Sequence, residues 1–155
     1  MLALYESGNE AAWLASFSFG VDVRPRYCEC DGQGHVSNVV YPAYLELSRL
    51  QYFKAANDPE AGAFAFQHVA VEFHMRYLAA CYYDEPLRVV SRLVGIGRSS
   101  ATMEQALAGQ GCGIRAIARV VLVRMTDVGA TPWSDAQRAA LTTFEPRAAT
   151  HNAER

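Results

Sequence analysis

The sequence predicts an α+β fold in which an antiparallel sheet of about five strands wraps around one long central helix. Three observations carry this expectation. The order of patterned segments is one strand, one long apolar helix, then four strands. The helix is apolar over most of its circumference, so it must be covered on several sides. The links between the last four strands are short and rich in glycine, which is the mark of antiparallel hairpins.

The segment Ala15 to Val23 sets Phe17, Phe19, Val21 and Val23 against Ser16, Ser18, Gly20 and Asp22. That period of two reads as a half-buried strand. Pro25 marks an edge or an end of regular pairing, with a resumption of the strand toward Cys30 as the expectation. Asp31-Gly32-Gln33-Gly34 is a turn by composition. From Tyr41 to Ala56 the pattern is helical, opened by Pro42 and stopped by Asn57-Asp58-Pro59. Glu46 and Arg49 lie three apart on what would be its exposed side. The four later strands are Val69–Tyr77, Leu87–Ile96, Ala101–Ala108 and Ile114–Met125. Ser134-Asp135-Ala136-Gln137 reads as the capping box of a short helix, and a loose tail is expected from about Pro146.

Composition bounds the function. The 155 residues suit one ordinary domain, with 51% hydrophobic and 19% charged residues, which excludes a disordered chain. Fourteen basic residues against 16 acidic ones give a net charge of −2, so no basic footprint points to nucleic acid. No apolar run approaches the length of a transmembrane helix, and the start MLALYESGNE has no signal-peptide pattern. Four cysteines, at 28, 30, 81 and 112, do not suggest a disulfide scaffold. The expected setting is therefore cytoplasmic, without a membrane partner.

One segment concentrates the chemistry, running from Arg24 to Glu46. Asp31 sits in a glycine turn, His35 and Asn38 follow, and a helix begins. A helix start carries unpaired N–H groups and a positive dipole end, and such groups can hold the oxyanion of an acyl-transfer intermediate. A carboxylate beside it can attack a carbonyl or activate water. Asp31 equally suits a turn former, and Asn38 a helix cap. Cys28 and Cys30 would share one face of a continued strand, yet no C-x-x-C pair exists and no metal is expected. Arg88, Arg92, Arg98, Arg115 and Arg119 have the fork geometry that matches phosphate.

The stretch Asp31-x-x-Gly34-His35-Val36-x-Asn38-x-x-Tyr41-x-x-Tyr44-x-Glu46-x-x-Arg49 resembles the signature of the 4-hydroxybenzoyl-CoA thioesterase-like family of hotdog-fold acyl-CoA thioesterases. Gly97-Arg98-Ser99-Ser100 resembles the family's link between two sheet strands, and the likeness covers roughly Phe17 to Leu141. The resemblance implies a hotdog fold and hydrolysis of an acyl-CoA or acyl carrier protein thioester, with no cofactor. It implies Asp31 as the catalytic carboxylate, acting as nucleophile or general base, and the Asn38 backbone N–H as the oxyanion position. His35 and Tyr41 would shape the acyl pocket. Tyr44, Arg98 and Ser99 are assigned with Tyr41 to substrate binding. A Glu46–Arg49 pair and assembly into a homodimer or homotetramer are further implications. Ser37 departs from the family, where many relatives carry a second Asn. Two other readings remain, a non-catalytic acyl-CoA or lipid-binding module and an enoyl thioester hydratase using Asp31 with His35.

Overall fold

The computed structural model describes residues 9–56, 68–111 and 113–150. A short helix α1 (Glu10–Ala15) precedes strand β1 (Phe19–Val23), and a single 3-10 turn follows at Tyr27–Glu29. Helix α2 (Tyr41–Ala55) comes next, then β2 (His68–Tyr77), β3 (Leu87–Ile96), β4 (Ser100–Gly109) and β5 (Gly113–Thr126). The chain closes with a two-residue strand β6 (Gly129–Ala130), helix α3 (Asp135–Phe144) and a two-residue strand β7 (Ala149–Thr150). The main sheet runs β1-β3-β4-β5-β2, antiparallel throughout, with α2 lying across its inner face. The expected α+β architecture is the one found.

Helix α2 buries Tyr41, Tyr44, Leu45, Ser48, Tyr52 and Phe53. These recur at intervals of three and four residues and so form one stripe. Around its C-terminal half, Tyr52 and Phe53 pack with Leu93, Ile96, Met103, Val120 and Trp133. Around its N-terminal half, Tyr41, Tyr44 and Leu45 pack with Val36, Leu87, Val89, Leu107 and Ala116. The helix is not enclosed all round within one chain, since Leu47 stays 40% exposed. On the outer face of the sheet, Trp13, Leu14 and Phe17 cover Val90, Ala106 and Ile117.

One departure from the sequence reading is topological: β2 and β3 do not form the expected hairpin, because β2 lies at the far edge of the sheet and pairs with β5. Four others have local causes. The first strand does not begin at Ala15: residues 10–15 are helical, and pairing with β3 starts at Phe19 opposite Ser91. The alternation of Phe17 arises because Trp13 and Phe17 pack together over the outer sheet face, their rings 4.8 Å apart. The strand does not resume to Cys30 either, because the Tyr27–Glu29 turn intervenes, so Cys28 and Cys30 do not share a strand face. In β2 the register shifts between Ala70 and Glu72, a bulge that breaks the simple alternation. His68 and Ala70 therefore share the helix-facing side with Phe73, Met75 and Tyr77. His68 lies against Phe53, Phe73 beneath Arg49, and Tyr77 against Tyr41. Finally, the described part of the expected loose tail is held, with Ala148 buried and β7 paired to Gly95 and Ile96 of β3. Asn57-Asp58-Pro59 lies outside the described residues.

Helix α3 begins at the predicted capping box. The Ser134 hydroxyl accepts from the Gln137 N–H at 3.2 Å, and the Gln137 side chain accepts from the Ser134 N–H at 3.1 Å.

Candidate active site

Asp31 stands at the head of a tight loop that leads into α2. Its N–H donates to the His35 carbonyl at 2.8 Å, and its own carbonyl accepts from Gly34 at 3.1 Å. Gly34 adopts φ +79°, a backbone that favours glycine. One carboxylate oxygen of Asp31, Oδ1, accepts from the N–H groups of Gln33 (2.8 Å) and His35 (3.3 Å). The turn-forming role foreseen for Asp31 is thus real, and it uses one oxygen. Among the described residues no donor occupies Oδ2, and the side chain is exposed at the surface of a cleft.

That cleft, about 400 Å³, is bounded on one side by Asp31, His35 and Asn38 and on the other by Tyr77 to Ala80 at the end of β2, with Val36 and Tyr41 at its floor. The backbone from 37 to 40 turns before α2 begins, closed by a bond from the Val40 N–H to the Ser37 carbonyl at 2.9 Å. Val40, not Asn38, occupies the cap position, and no side chain caps the helix. The expected capping role of Asn38 is therefore not adopted. Its carbonyl instead receives the Tyr77 hydroxyl at 3.0 Å, and no described residue accepts from its N–H. The Tyr41 hydroxyl accepts from the Cys81 N–H at 3.0 Å, so it braces the cleft wall. Burial, with the neighbouring Cys81 adding to it, lifts its pKa above the usual tyrosine range. His35 sits edge-on to Tyr82, their rings 5.3 Å apart. The cleft therefore brings together a carboxylate with a free oxygen, an imidazole and Asn38, in the turn that leads into α2.

A model of the thioesterase superfamily matches residues 33–113, a span that contains most of this cleft. A relative from Bacillus subtilis strain 168, the uncharacterised protein YsmA, is 31% identical over 132 residues, spanning 83% of this chain and 88% of its own. The chain belongs to the thioesterase superfamily. The crystal structure of a thioesterase from Thermus thermophilus, complexed with coenzyme A and Zn, superposes with TM-score 0.75 at 31% identity, covering 84% of this chain and 97% of that one. A thioesterase-superfamily protein from Jannaschia sp. CCS1 gives TM-score 0.76 at 27% identity, covering 89% and 91%. The curled antiparallel sheet around α2 is the hotdog fold of these thioesterases, and membership supports acyl thioester hydrolysis in general.

Within this thioesterase-superfamily chain the other sequence-derived residues fall in different places. Tyr44 is buried, and its hydroxyl donates to Glu29 at 2.7 Å, away from the cleft lining. Arg98 and Ser99 lie beyond Ile96, at the far end of β3 from the cleft. The near end, Leu87, packs with Val36 and Tyr41. Ten strand residues separate the two ends by about 30 Å, so one chain does not bring Arg98 or Ser99 to Asp31. Glu46 and Arg49 do not form the expected hydrogen-bonded pair. Arg49 donates to Gln105 at 3.0 Å, and Glu46 acts on it only as a nearby charge. Arg88, Arg92 and Arg115 are committed to Asp22, Glu104 and Glu85. Among the described residues no three His, Cys, Asp or Glu side chains converge to hold a metal ion, and no helix is long and apolar enough to cross a membrane.

Two groups escaped the sequence reading. Glu29 binds Arg26 and Tyr44 at the base of the Asp31 loop, and the opposite charges of Arg26 and Glu29 three residues apart were the available signal. Tyr77 closes the opposite wall, which no local pattern announces.

Proposed function

We propose that this protein is an acyl-CoA thioesterase that hydrolyses its substrate in the Asp31 cleft. The single observation that carries this reading is that Asp31, with one carboxylate oxygen free of any described donor, and Asn38, whose N–H has no acceptor among the described residues, line the same accessible cleft. Asp31 acts either on the thioester carbonyl carbon directly or on a water by taking its proton. In the water route the new C–O bond forms as the carbonyl oxygen gains negative charge, and the Asn38 N–H, in the turn before α2, stabilises that charge. Collapse breaks the C–S bond, the proton returns to the leaving thiolate, and a free acid and CoA result. His35, Val36 and Tyr41 shape the acyl space. The CoA-bound Thermus thermophilus neighbour supports a CoA thioester over a carrier-protein one.

The site is completed by a second copy of the chain. Strand β2 forms an edge of the sheet, and Val69, Val71 and Phe73 on it are 44%, 60% and 36% exposed. A ten-residue edge this apolar is a template for pairing. Two-fold pairing of β2 with its copy reverses the ends of the sheet. It would carry the Arg98–Ser99 link of one protomer toward the Asp31 cleft of the other. A homodimer is the unit this reading requires, and a tetramer would add a second such pair.

One observation favours the alternative of a non-catalytic acyl-CoA or lipid-binding module, namely that Asp31 already serves its own turn through Oδ1. The test that separates the two is release of free thiol from a panel of alkyl and aryl acyl-CoAs. Turnover above background that disappears in Asp31→Asn supports the enzyme. CoA binding without turnover supports the module.

A further inference from the structure

The loop that carries Asp31 is stiff within itself. The Ser37 N–H donates to the Glu29 carbonyl at 2.8 Å, Cys30 bridges to Val36, and the Asp31 N–H donates to His35. Such a unit moves as a body, so its placement depends on what holds its base. At that base the Glu29 carboxylate takes four donated bonds. Oε2 receives the Arg26 N–H and the Tyr44 hydroxyl, both at 2.7 Å, while Oε1 receives Arg26 Nε at 3.1 Å and Nη2 at 2.7 Å. Tyr44 belongs to the first turn of α2 and is 7% exposed, so its ring is fixed by the core. Among the described residues the Glu29–Tyr44 bond is the one side-chain hydrogen bond that joins the segment 26–37 to α2. The loop carries the carboxylate, and the approach to α2 carries the oxyanion donor. Their separation is therefore set through this bond.

We propose that Glu29 is a positioning residue that, through Tyr44, fixes the distance between the Asp31 carboxylate and the start of α2. The proposal rests on the functional reading above and adds a residue to it that touches no substrate. Charge-assisted bonds to a carboxylate are the strong ones, and three bonds from Arg26 together with one from Tyr44 hold Glu29 between the loop base and α2. A reacting geometry displaced by about 1 Å loses on the order of 10²-fold in rate. A single lost tether on an otherwise stiff loop moves it less than that.

The experiment is a double-mutant cycle on Glu29→Gln and Tyr44→Phe, both close in shape to the wild type. The steady-state constants for the best acyl-CoA are measured well below each melting temperature, beside amide hydrogen exchange at Gln33 and His35. Each single variant should lose about tenfold in kcat with KM little changed. The double variant should fall no further than the worse single, because the two residues act as one unit. The Gln33 and His35 amides should exchange severalfold faster, with those of β4 unaltered. A purely stabilising role would lower the melting temperature and leave kcat and loop exchange as they were. That result, or losses in kcat that multiply in the double variant, would overturn the proposal. Failure of the wild type to cleave any acyl thioester would instead sink the functional reading. Loop exchange then decides the positioning claim alone, with faster exchange sustaining it and unchanged exchange ending it.

Discussion

Gln105, in the middle of β4, donates its side-chain amide to the backbone carbonyl of Leu45, in the middle of α2, at 2.9 Å. The same nitrogen reaches Ser91 Oγ at 2.9 Å, Ser91 meets Ser48 at 2.8 Å, and the amide oxygen receives Arg49 at 3.0 Å. Gln105, Ser91 and Ser48 are fully buried. This network fixes the register of a helix whose apolar faces alone would tolerate sliding or rotation on the sheet. Replacement by leucine leaves the Arg49 guanidinium without its acceptor. Gln105→Leu should cost about 2–3 kcal/mol, or about 5–10 °C in melting temperature for a chain of this size. A loss under about 0.5 kcal/mol, the usual limit for an inert surface change, would show that the network does not hold the helix.

Asp31→Asn should lower kcat by about 10²- to 10⁴-fold, the usual contribution of a positioned base. Its melting curve should match the wild type, since an Asn side-chain oxygen can accept the same Gln33 and His35 bonds. Asn38→Ala should change neither quantity greatly, because its side chain caps nothing and its N–H remains. Loss of turnover in Asn38→Ala at unchanged stability would move the chemistry to the side chain.

The edge strand offers a test of assembly. Light scattering should give at least a dimer at micromolar concentration. Val71→Lys, at a bulged and exposed position of β2, should shift it toward monomer. On the two-copy site proposed above, that variant should lose kcat/KM together with dimer mass. A fully active monomer would remove the second copy from the site.

Glu29 supplies a pH dependence. Burial alone would raise its pKa, but the side-chain and backbone bonds from Arg26, joined by the Tyr44 hydroxyl, outweigh burial and hold it below the ordinary value of 4.5. Its folded-state pKa thus lies below the unfolded one, so its stabilisation is complete above the ordinary range and is lost as pH falls through the lower folded value. The melting-temperature gap between wild type and Glu29→Gln should be full at pH 7 and close progressively below about pH 4.5. A gap that does not change with pH would mean that the ionised form adds nothing.

The cysteines should divide by environment. Burial pushes the Cys81 thiol up to about 11, against the opposing effect of its contact with Tyr41, whereas Cys28 is exposed. Iodoacetamide at pH 8 should label Cys28 in the native protein and Cys81 only after unfolding, as read by peptide mass. Native labelling of Cys81 at a comparable rate would contradict the packing of the cleft wall.

The order of the main strands and the long helix, the β3–β4 and β4–β5 hairpin links and the capping box of α3 were legible in the sequence, because each rests on local periodicity or on turn chemistry between near neighbours. The link from β2 to β3, by contrast, is no hairpin, since β2 pairs with β5 across the fold. The cluster of Asp31, His35, Asn38 and Tyr41 was legible too, since all four lie within eleven residues and enter one cleft. Tertiary structure decided what depends on distant partners. Phe17 alternates like a strand residue, yet it belongs to a segment that packs on the outer sheet face with Trp13, and propensity yielded there to a contact across the fold. The bulge in β2 put His68 and Ala70 beside Phe73, a register shift that only pairing with β5 reveals. Arg49 turned from its helical neighbour Glu46 to Gln105, 56 residues away, because a guanidinium drawn into the core needs a fixed acceptor more than an exposed charge. Tyr44 turned from the acyl space to Glu29 for the same reason, since a buried hydroxyl takes the carboxylate within its reach.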